Sequence, residues 1–351
     1  MNVIMGNNMS KVTACISTKD RYHTTLPLTI MSIINQTRKP DKLVIYDDGE
    51  QKDLRAIPLY LNLFKLLDYS KIQWEVRFGK RIGQVANHQD CLDKCDTEFI
   101  WRIDDDEVAE PNVLETLLNN VSSDEKIGAV GGNVWFPGNV EWIPSILNGS
   151  LDDVFYGLNI QWFMTNPTKV DVEHLYSTFL YSVEAGRSIG GYSKELSPVG
   201  HREETMFTYL MNRSGYITRY ISGAITWHLR EETGGIREYK NPTLWEQDEV
   251  VFNQLLKKFE VGVPDVKLIV LDNGIGDHYA FKSVLPLIDK DKDLVIACCY
   301  PEVFRGDNIN LVSIAVAKMM CNIDDYNIYK WMWDKKWDRH ITEAFKEMYS
   351  I

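Results

Sequence analysis

Three consecutive aspartates, Asp104, Asp105 and Asp106, directly follow the apolar run EFIWRI (Glu98 to Ile103). In open α/β sheets the carboxyl ends of strands are where ligands bind, and like charges gathered there call for a cation. Side chains two apart on an extended segment share a face, so Asp104 and Asp106 point into one site while Asp105 faces away. The ion this donor chemistry suits is a hard divalent one, Mn²⁺ or Mg²⁺. A solvated acidic loop or a helix N-cap accounts for the same triplet. Asp47 and Asp48 end a second apolar run, KLVIYDD, ahead of Gly49. A carboxylate there can accept from a ribose hydroxyl or a base N–H, and turn chemistry explains the pair equally well. Glu203 and Glu204 open a helical stretch after Gly200-His201-Arg202, where acidic residues complement the helix dipole. His228 ends the run AITWHL, a place for an edge histidine or a metal ligand.

These residues need a scaffold, and the pattern around them supplies one. VTACIS (Val12 to Ser17) reads as a buried strand, Leu26, Ile30, Ile33 and Ile34 form the stripe of a helix, and KLVIYDD is the next strand. A helix over Leu54 to Leu67, a strand at Ile72 to Phe78 and a helix over Val85 to Cys95 lead into EFIWRI. A helix follows Pro111, then a strand at Ile127 to Phe136, pocket-shaping loops over 137–169, a helix over Arg202 to Arg213 and strands at Tyr216 to Ile221 and Ala224 to Leu229. Gly234-Gly235, within Glu231 to Asn241, are hinge candidates for a loop that folds over a ligand. The reading is α/β, a mostly parallel sheet with helices on both faces. It divides into a domain over 1–241, a linking helix and boundary over 242–264 ending at Val261-Gly262-Val263-Pro264, and a smaller α/β unit over 265–351.

Composition narrows the function. With 351 residues, 44% hydrophobic and 25% charged, the chain is neither disordered nor fibrous. Its net charge of −12 opposes unassisted approach to nucleic acid or an anionic membrane, and the local exception is the basic cluster Arg77, Lys80 and Arg81. Six cysteines without a repeated C-x-x-C pairing read as reduced thiols, with Cys91 and Cys95 packed as helix neighbours. No run reaches the roughly 18 apolar residues of a membrane span, and MNVIMGNNMSK has no signal-peptide core, so a cytoplasmic protein is expected.

In sequence order, ACISTKDRYHTTLPLTIMSIINQTRKPDKLVIYDDGE, GQVANHQDCLDKCDTEFIWRIDDDEVAEPNVLETL and SIGGYSKELSPVGHREETMFTYLMNRSGYITRYISGAITWHL together resemble the family-2-like inverting glycosyltransferases of the GT-A fold, over about residues 12–230. The resemblance implies that Thr18, Asp47 and Asp48 contact the nucleoside of a nucleotide-sugar, with Arg81 and Asp105 joining the donor-binding set. It makes Asp104 and Asp106 the metal-binding Asp-x-Asp, His228 a residue completing the metal shell, and Glu204, counted back from Gly215, the catalytic base. Gly191 and Glu203 then fall on the acceptor side. Where Glu204 stands the family commonly has Asp. The implied reaction moves one sugar, from a UDP-sugar, onto an acceptor hydroxyl. The chain has neither the membrane helices nor the Gln-x-x-Arg-Trp motif of processive relatives, so transfer of one sugar at a time is expected; a glycan or glycoconjugate is the expected acceptor, and the net charge of −12 places a hydroxymethylated base in DNA behind it. A nucleotide-sugar sensor or scaffold with a decayed site is the competing expectation. DNGIGDHYAFKSVLPLI is faintly similar to the first strand-turn-helix of heptosyltransferase-like GT-B enzymes. Too little chain follows it for a second half, so docking or oligomerisation is the role expected of that unit, with Tyr329, Trp331, Trp333 and Trp337 packing a helix.

Overall fold

The central strand β1 (Val12–Thr18) is buried along nearly its whole length, as a strand covered on both faces must be. Parallel neighbours flank it: β2 (Lys42–Asp47) on one side and β4 (Phe99–Arg102) on the other, with β3 (Gln73–Phe78) beyond β2. The computed structural model describes residues 10–121, 125–135, 168–235, 242–258, 267–288 and 294–351. The loops expected over 137–167, residues 236–241 of the hinged loop and the boundary at 261–264 lie outside the described residues.

Helices α1 (Leu26–Ile34), α2 (Pro58–Tyr69) and α3 (Gln84–Lys94) follow the first three strands. Proline in the first turn of α1 and of α2 fits their starts, because a first-turn N–H has no intrahelical partner to lose. α1 buries Leu26, Ile30 and Ile33, the stripe its spacing predicts. Its end is tied to the chain beyond the acidic triplet. The buried Gln36 side chain donates to Glu110 O at 2.8 Å and accepts from Leu114 N at 3.0 Å. α3 starts at Gly83, whose φ of +96° is open to glycine and where a Cβ would lie 2.2 Å from Pro198 O.

After β4 come β5 (Glu107–Ala109), the short helix α4 (Val113–Leu118) and β6 (Ile127–Trp135). Next are β7 (Lys169–Val172), β8 (Phe179–Ser182), α5 (Val183–Ser188), α6 (Glu203–Arg213), β9 (Ile217–His228) and α7 (Pro242–Lys258). The sheet runs β3-β2-β1-β4-β8-β6-β9-β5, parallel through its first four strands. It is antiparallel where β8 meets β4 and β6 and where β5 meets β9. The two strands expected at Tyr216 to Ile221 and Ala224 to Leu229 are one. Ser222 and Gly223 continue the extended backbone, and Ser222 Oγ accepts from Thr168 N at 2.6 Å.

Two compact units result, the first from 1–137, 174–219 and 224–260, the second from 138–173, 220–223 and 261–351. α7 belongs to the first, where its buried Asp248 accepts from Ser197 N, Ser197 Oγ and His201 N at 2.6–2.9 Å. The second contains a parallel three-stranded sheet, β10 (Lys267–Leu271), β11 (Leu294–Cys298) and β12 (Asn310–Val312). Helix α8 (Ile275–Val284) follows β10, and α9 (Ile314–Met320), α10 (Ile328–Asp334) and α11 (Ile341–Tyr349) close the chain around Phe281, Ile296 and Phe345. Trp331 and Trp337 pack with ring centroids 5.1 Å apart, whereas Trp333 is 84% exposed, so the expected aromatic packing takes only part of that run. The fold is α/β of the GT-A type, with a smaller C-terminal α/β unit. Among the described residues no helix is long and apolar enough to cross a membrane.

Candidate active site

A cleft opens at the carboxyl ends of β1, β2 and β4. Thr18, Asp48, Asp104, Asp105, Asp106 and His228 line it, together with Arg21, Gly83 and Gly235. The register explains the convergence. Thr18 pairs with Asp47 across β1 and β2, and the antiparallel β5–β9 ladder sets Glu107 opposite His228, which carries a histidine more than 120 residues downstream to the triplet. Asp104, Asp106 and His228 each offer one donor atom, all within 4.8 Å of one another. Two carboxylates and an imidazole form a donor set that fits Mn²⁺. His228 Nδ1 lies 3.7 Å from Asp106 Oδ2.

Asp105, expected to face away, lines the same cleft, because β4 ends at Arg102 and Asp105 and Asp106 lie in a turn beyond it, where strand alternation no longer holds. Its buried carboxylate accepts from Thr18 Oγ1 at 2.7 Å and from Arg21. Burial pushes it up to about 7, with the Arg21 charge pulling down and Asp106 pushing further up. Asp47 and Asp48 divide. Asp47 lies off the lining, accepting from Tyr22 Oη at 2.6 Å and Gly49 N at 2.9 Å, and burial raises its pKa. Asp48 reaches the cleft, and its oxygens accept from Arg81 N at 2.7 Å and Gly83 N at 3.0 Å, which shapes the loop ahead of α3. Arg81 therefore contributes its backbone, and its side chain is exposed. Gly191 is off the lining as well: with φ of +82° it packs on Gln89, whose Oε1 accepts from Tyr192 N at 2.7 Å.

Beneath the cleft is a residue that sequence reasoning missed. Arg102, 1% exposed, donates from Nε to His88 Nε2 at 3.2 Å, from Nη1 to Ser177 O at 2.8 Å and from Nη2 to Asp104 Oδ1 at 3.0 Å and to Glu203 Oε1. His88 is fully buried, and desolvation followed by the Arg102 charge holds it well below the ordinary histidine range. It stays neutral, with Nε2 as acceptor and the proton on Nδ1, 3.7 Å from Cys15 Sγ. The signal was an arginine inside an otherwise apolar strand, because a buried guanidinium persists only with partners. Glu203 is buried too. Desolvation raises it to about 8 against the lowering pull of Arg102, and its Oε2 has no hydrogen-bond partner among the described residues. Glu204, its half-buried neighbour in the first turn of α6, lies off the lining as Glu203 does. Arg102→Met strands Glu203, so unfolding in urea is expected to show a loss of about 3–5 kcal/mol.

A strap follows β9. Arg21 donates from Nη2 to Glu231 O at 3.2 Å and from Nε to Thr233 O at 3.3 Å, and Gly235 N donates to Lys19 O at 2.8 Å. Gly235 has φ of +64°, and a Cβ there would lie 2.7 Å from Arg21 Nη2. Four non-glycine residues beside the cleft also sit in the left-handed region: Asp20 at φ 58°, Arg81 at 58°, Arg202 at 68° and Arg230 at 54°. In the basic cluster, Arg77 is held by both oxygens of Glu75 at 2.6 and 2.9 Å and lies over the Tyr46 ring.

Among solved structures, the chain is similar to S. aureus TarS residues 1–349 in complex with UDP-GlcNAc, at 13% identity and a TM-score of 0.51, covering 71% of this chain and 68% of that one. GalNAc-T7 with UDP, GalNAc and Mn²⁺ aligns at 14% identity and a TM-score of 0.48, over 64% of this chain. The chain spans only 45% of the GalNAc-T7 chain. The mannosyltransferase PcManGT from Pyrobaculum calidifontis, in complex with GDP-Man and Mn²⁺, aligns at 11% identity and a TM-score of 0.48, over 73% of this chain and 67% of that one. No curated protein sequence matches the chain. Residues 13–181, a little under half of the chain, match the family model for glycosyl transferase family 2, the stretch that holds β1, β2, β4 and the aspartate triplet.

Proposed function

We propose that the protein is a metal-dependent, inverting glycosyltransferase that moves one sugar from a UDP-sugar to the hydroxyl of a glycan or glycoconjugate. One observation carries the reading: Asp104 and Asp106, inside the stretch that matches the family-2 model, and His228, beyond it, bring their donor atoms within 4.8 Å of one another at the strand ends. A Mn²⁺ or Mg²⁺ ion bound there would neutralise the charge that builds on a departing diphosphate. Thr18 and the Asp48-ordered loop border the donor nucleoside, and Asp47 holds the end of β2 through Tyr22. Glu204 takes the acceptor proton as the acceptor oxygen bonds to the anomeric carbon. The bond from that carbon to the diphosphate oxygen breaks in the same displacement, which inverts the centre. Glu203 and Gly191 are assigned to the acceptor side, Glu203 held on Arg102 and Gly191 packed on Gln89. The DNA branch is disfavoured because Arg77 is already committed to Glu75.

Thermal stability against a panel of nucleotide-sugars, with and without Mn²⁺, tests the reading. The expected result is a Mn²⁺-dependent gain with one UDP-sugar, roughly 2.7 kcal/mol at a hundredfold excess over Kd. No gain with any nucleotide-sugar would return the fold to a scaffold role.

A further inference from the structure

Asp106 Oδ2 serves two donors at once. Arg21 Nη1 lies 3.0 Å away and Glu231 N–H donates from 3.3 Å, while His228 Nδ1, which accepts from Arg230 N at 3.1 Å, stands 3.7 Å off. The Arg21 side chain is 5% exposed and also reaches the Asp105 carboxylate and the carbonyls of Glu231 and Thr233. One guanidinium thus fastens residues 231–235 to the carboxylates of the triplet, and Glu231 N–H binds the same Asp106 oxygen that Arg21 does.

A divalent ion on Asp104, Asp106 and His228 draws on that carboxylate as well. Two cations at one carboxylate repel each other and divide its charge, the more strongly because Asp106 is buried and little screened. We propose that Arg21 is a positioning residue that sets docking of the 231–235 strap and cation binding at Asp106 against each other. The inference rests on the metal site of the proposed glycosyltransferase and adds to it a built-in competitor. Coupling of this kind is reciprocal: whatever the ion does to strap docking, the docked strap does to ion affinity. Arg21 is not a catalytic residue in this scheme. It sets how readily the strap leaves the donor side of the cleft once the ion is in place.

The test uses the full chain, Mn²⁺ titration by calorimetry with UDP present, and amide hydrogen exchange across 231–235. Arg21→Met is expected to bind Mn²⁺ about tenfold more tightly than the wild type, within the usual range of coupling between sites. Its strap amides, Gly235 N–H among them, should exchange fast with or without the ion. In the wild type, saturating Mn²⁺ should speed that exchange. A purely structural arginine would loosen the strap on removal and leave ion affinity unchanged or weaker. Should Arg21→Met fail to fold, Arg21→Gln carries the test: it keeps polar donors but removes the charge, so the strap should exchange faster and Mn²⁺ should bind several-fold more tightly than in the wild type, whereas unchanged or weaker binding overturns the inference. Equal or weaker Mn²⁺ binding by a folded Arg21→Met, or slower strap exchange in the wild type on adding Mn²⁺, overturns the inference and leaves the enzyme reading standing. A wild type that binds no Mn²⁺ at all removes the metal site and the inference with it.

Discussion

Asp106→Ala is expected to lower sugar transfer by at least about 10³-fold, the scale on which losing a preorganised partner of developing charge is felt. The substitution removes one of three clustered donors, and the carboxylate oxygen lost is also the one shared with Arg21 and Glu231 N–H. Calorimetric Mn²⁺ titration should show no binding, and turnover of the UDP-sugar identified by thermal stability should fall to background. Asp105 still pairs with Arg21 in this variant, so its Tm should stay within a few degrees of wild type. A folded Asp106→Ala protein with ordinary turnover would rule out metal-assisted departure of the diphosphate at this triplet.

Glu204→Gln should separate binding from chemistry. An amide cannot accept the acceptor proton, so kcat is expected to fall about 10²–10⁴-fold. Thermal stabilisation by donor and Mn²⁺ should persist, because Glu204 lies off the cleft lining. Single-turnover rates with and without acceptor check this directly. Retained kcat would move the proton acceptor elsewhere. Glu203 is a poor substitute, since one of its oxygens is held by a fully buried arginine.

Much of this site is legible in the sequence because it is local. An apolar run followed by aspartates marks the strand and the place where it ends, whereas period-two alternation did not sort the triplet, because Asp105 and Asp106 sit in a turn beyond β4 and all three line the cleft. The division of β9 into two strands failed because glycine and serine weaken a strand pattern without breaking the strand when their backbone stays extended. What spacing could not reveal was pairing across the fold. Arg102 meets Glu203 across 101 positions and Arg21 meets Asp105 across 84, so their union depends on strand order and on where α6 starts. The arginine in EFIWRI was visible as an anomaly, but its partners were not.

The left-handed residues beside the cleft have a bearing on heat tolerance. Asp20, Arg81, Arg202 and Arg230 each hold a backbone conformation that costs an L-residue about 1 kcal/mol. Glycine would relieve most of that cost, at the expense of greater freedom in the unfolded chain. These four positions stand immediately before or close to Arg21, Gly83, Glu203 and Glu231. Selection for durability and selection for a taut cleft therefore act on the same few peptide units in opposite directions. A search for thermostable variants that relaxes these turns would be trading away the rigidity that keeps the strap, the donor loop and the acidic helix at fixed distances from the triplet.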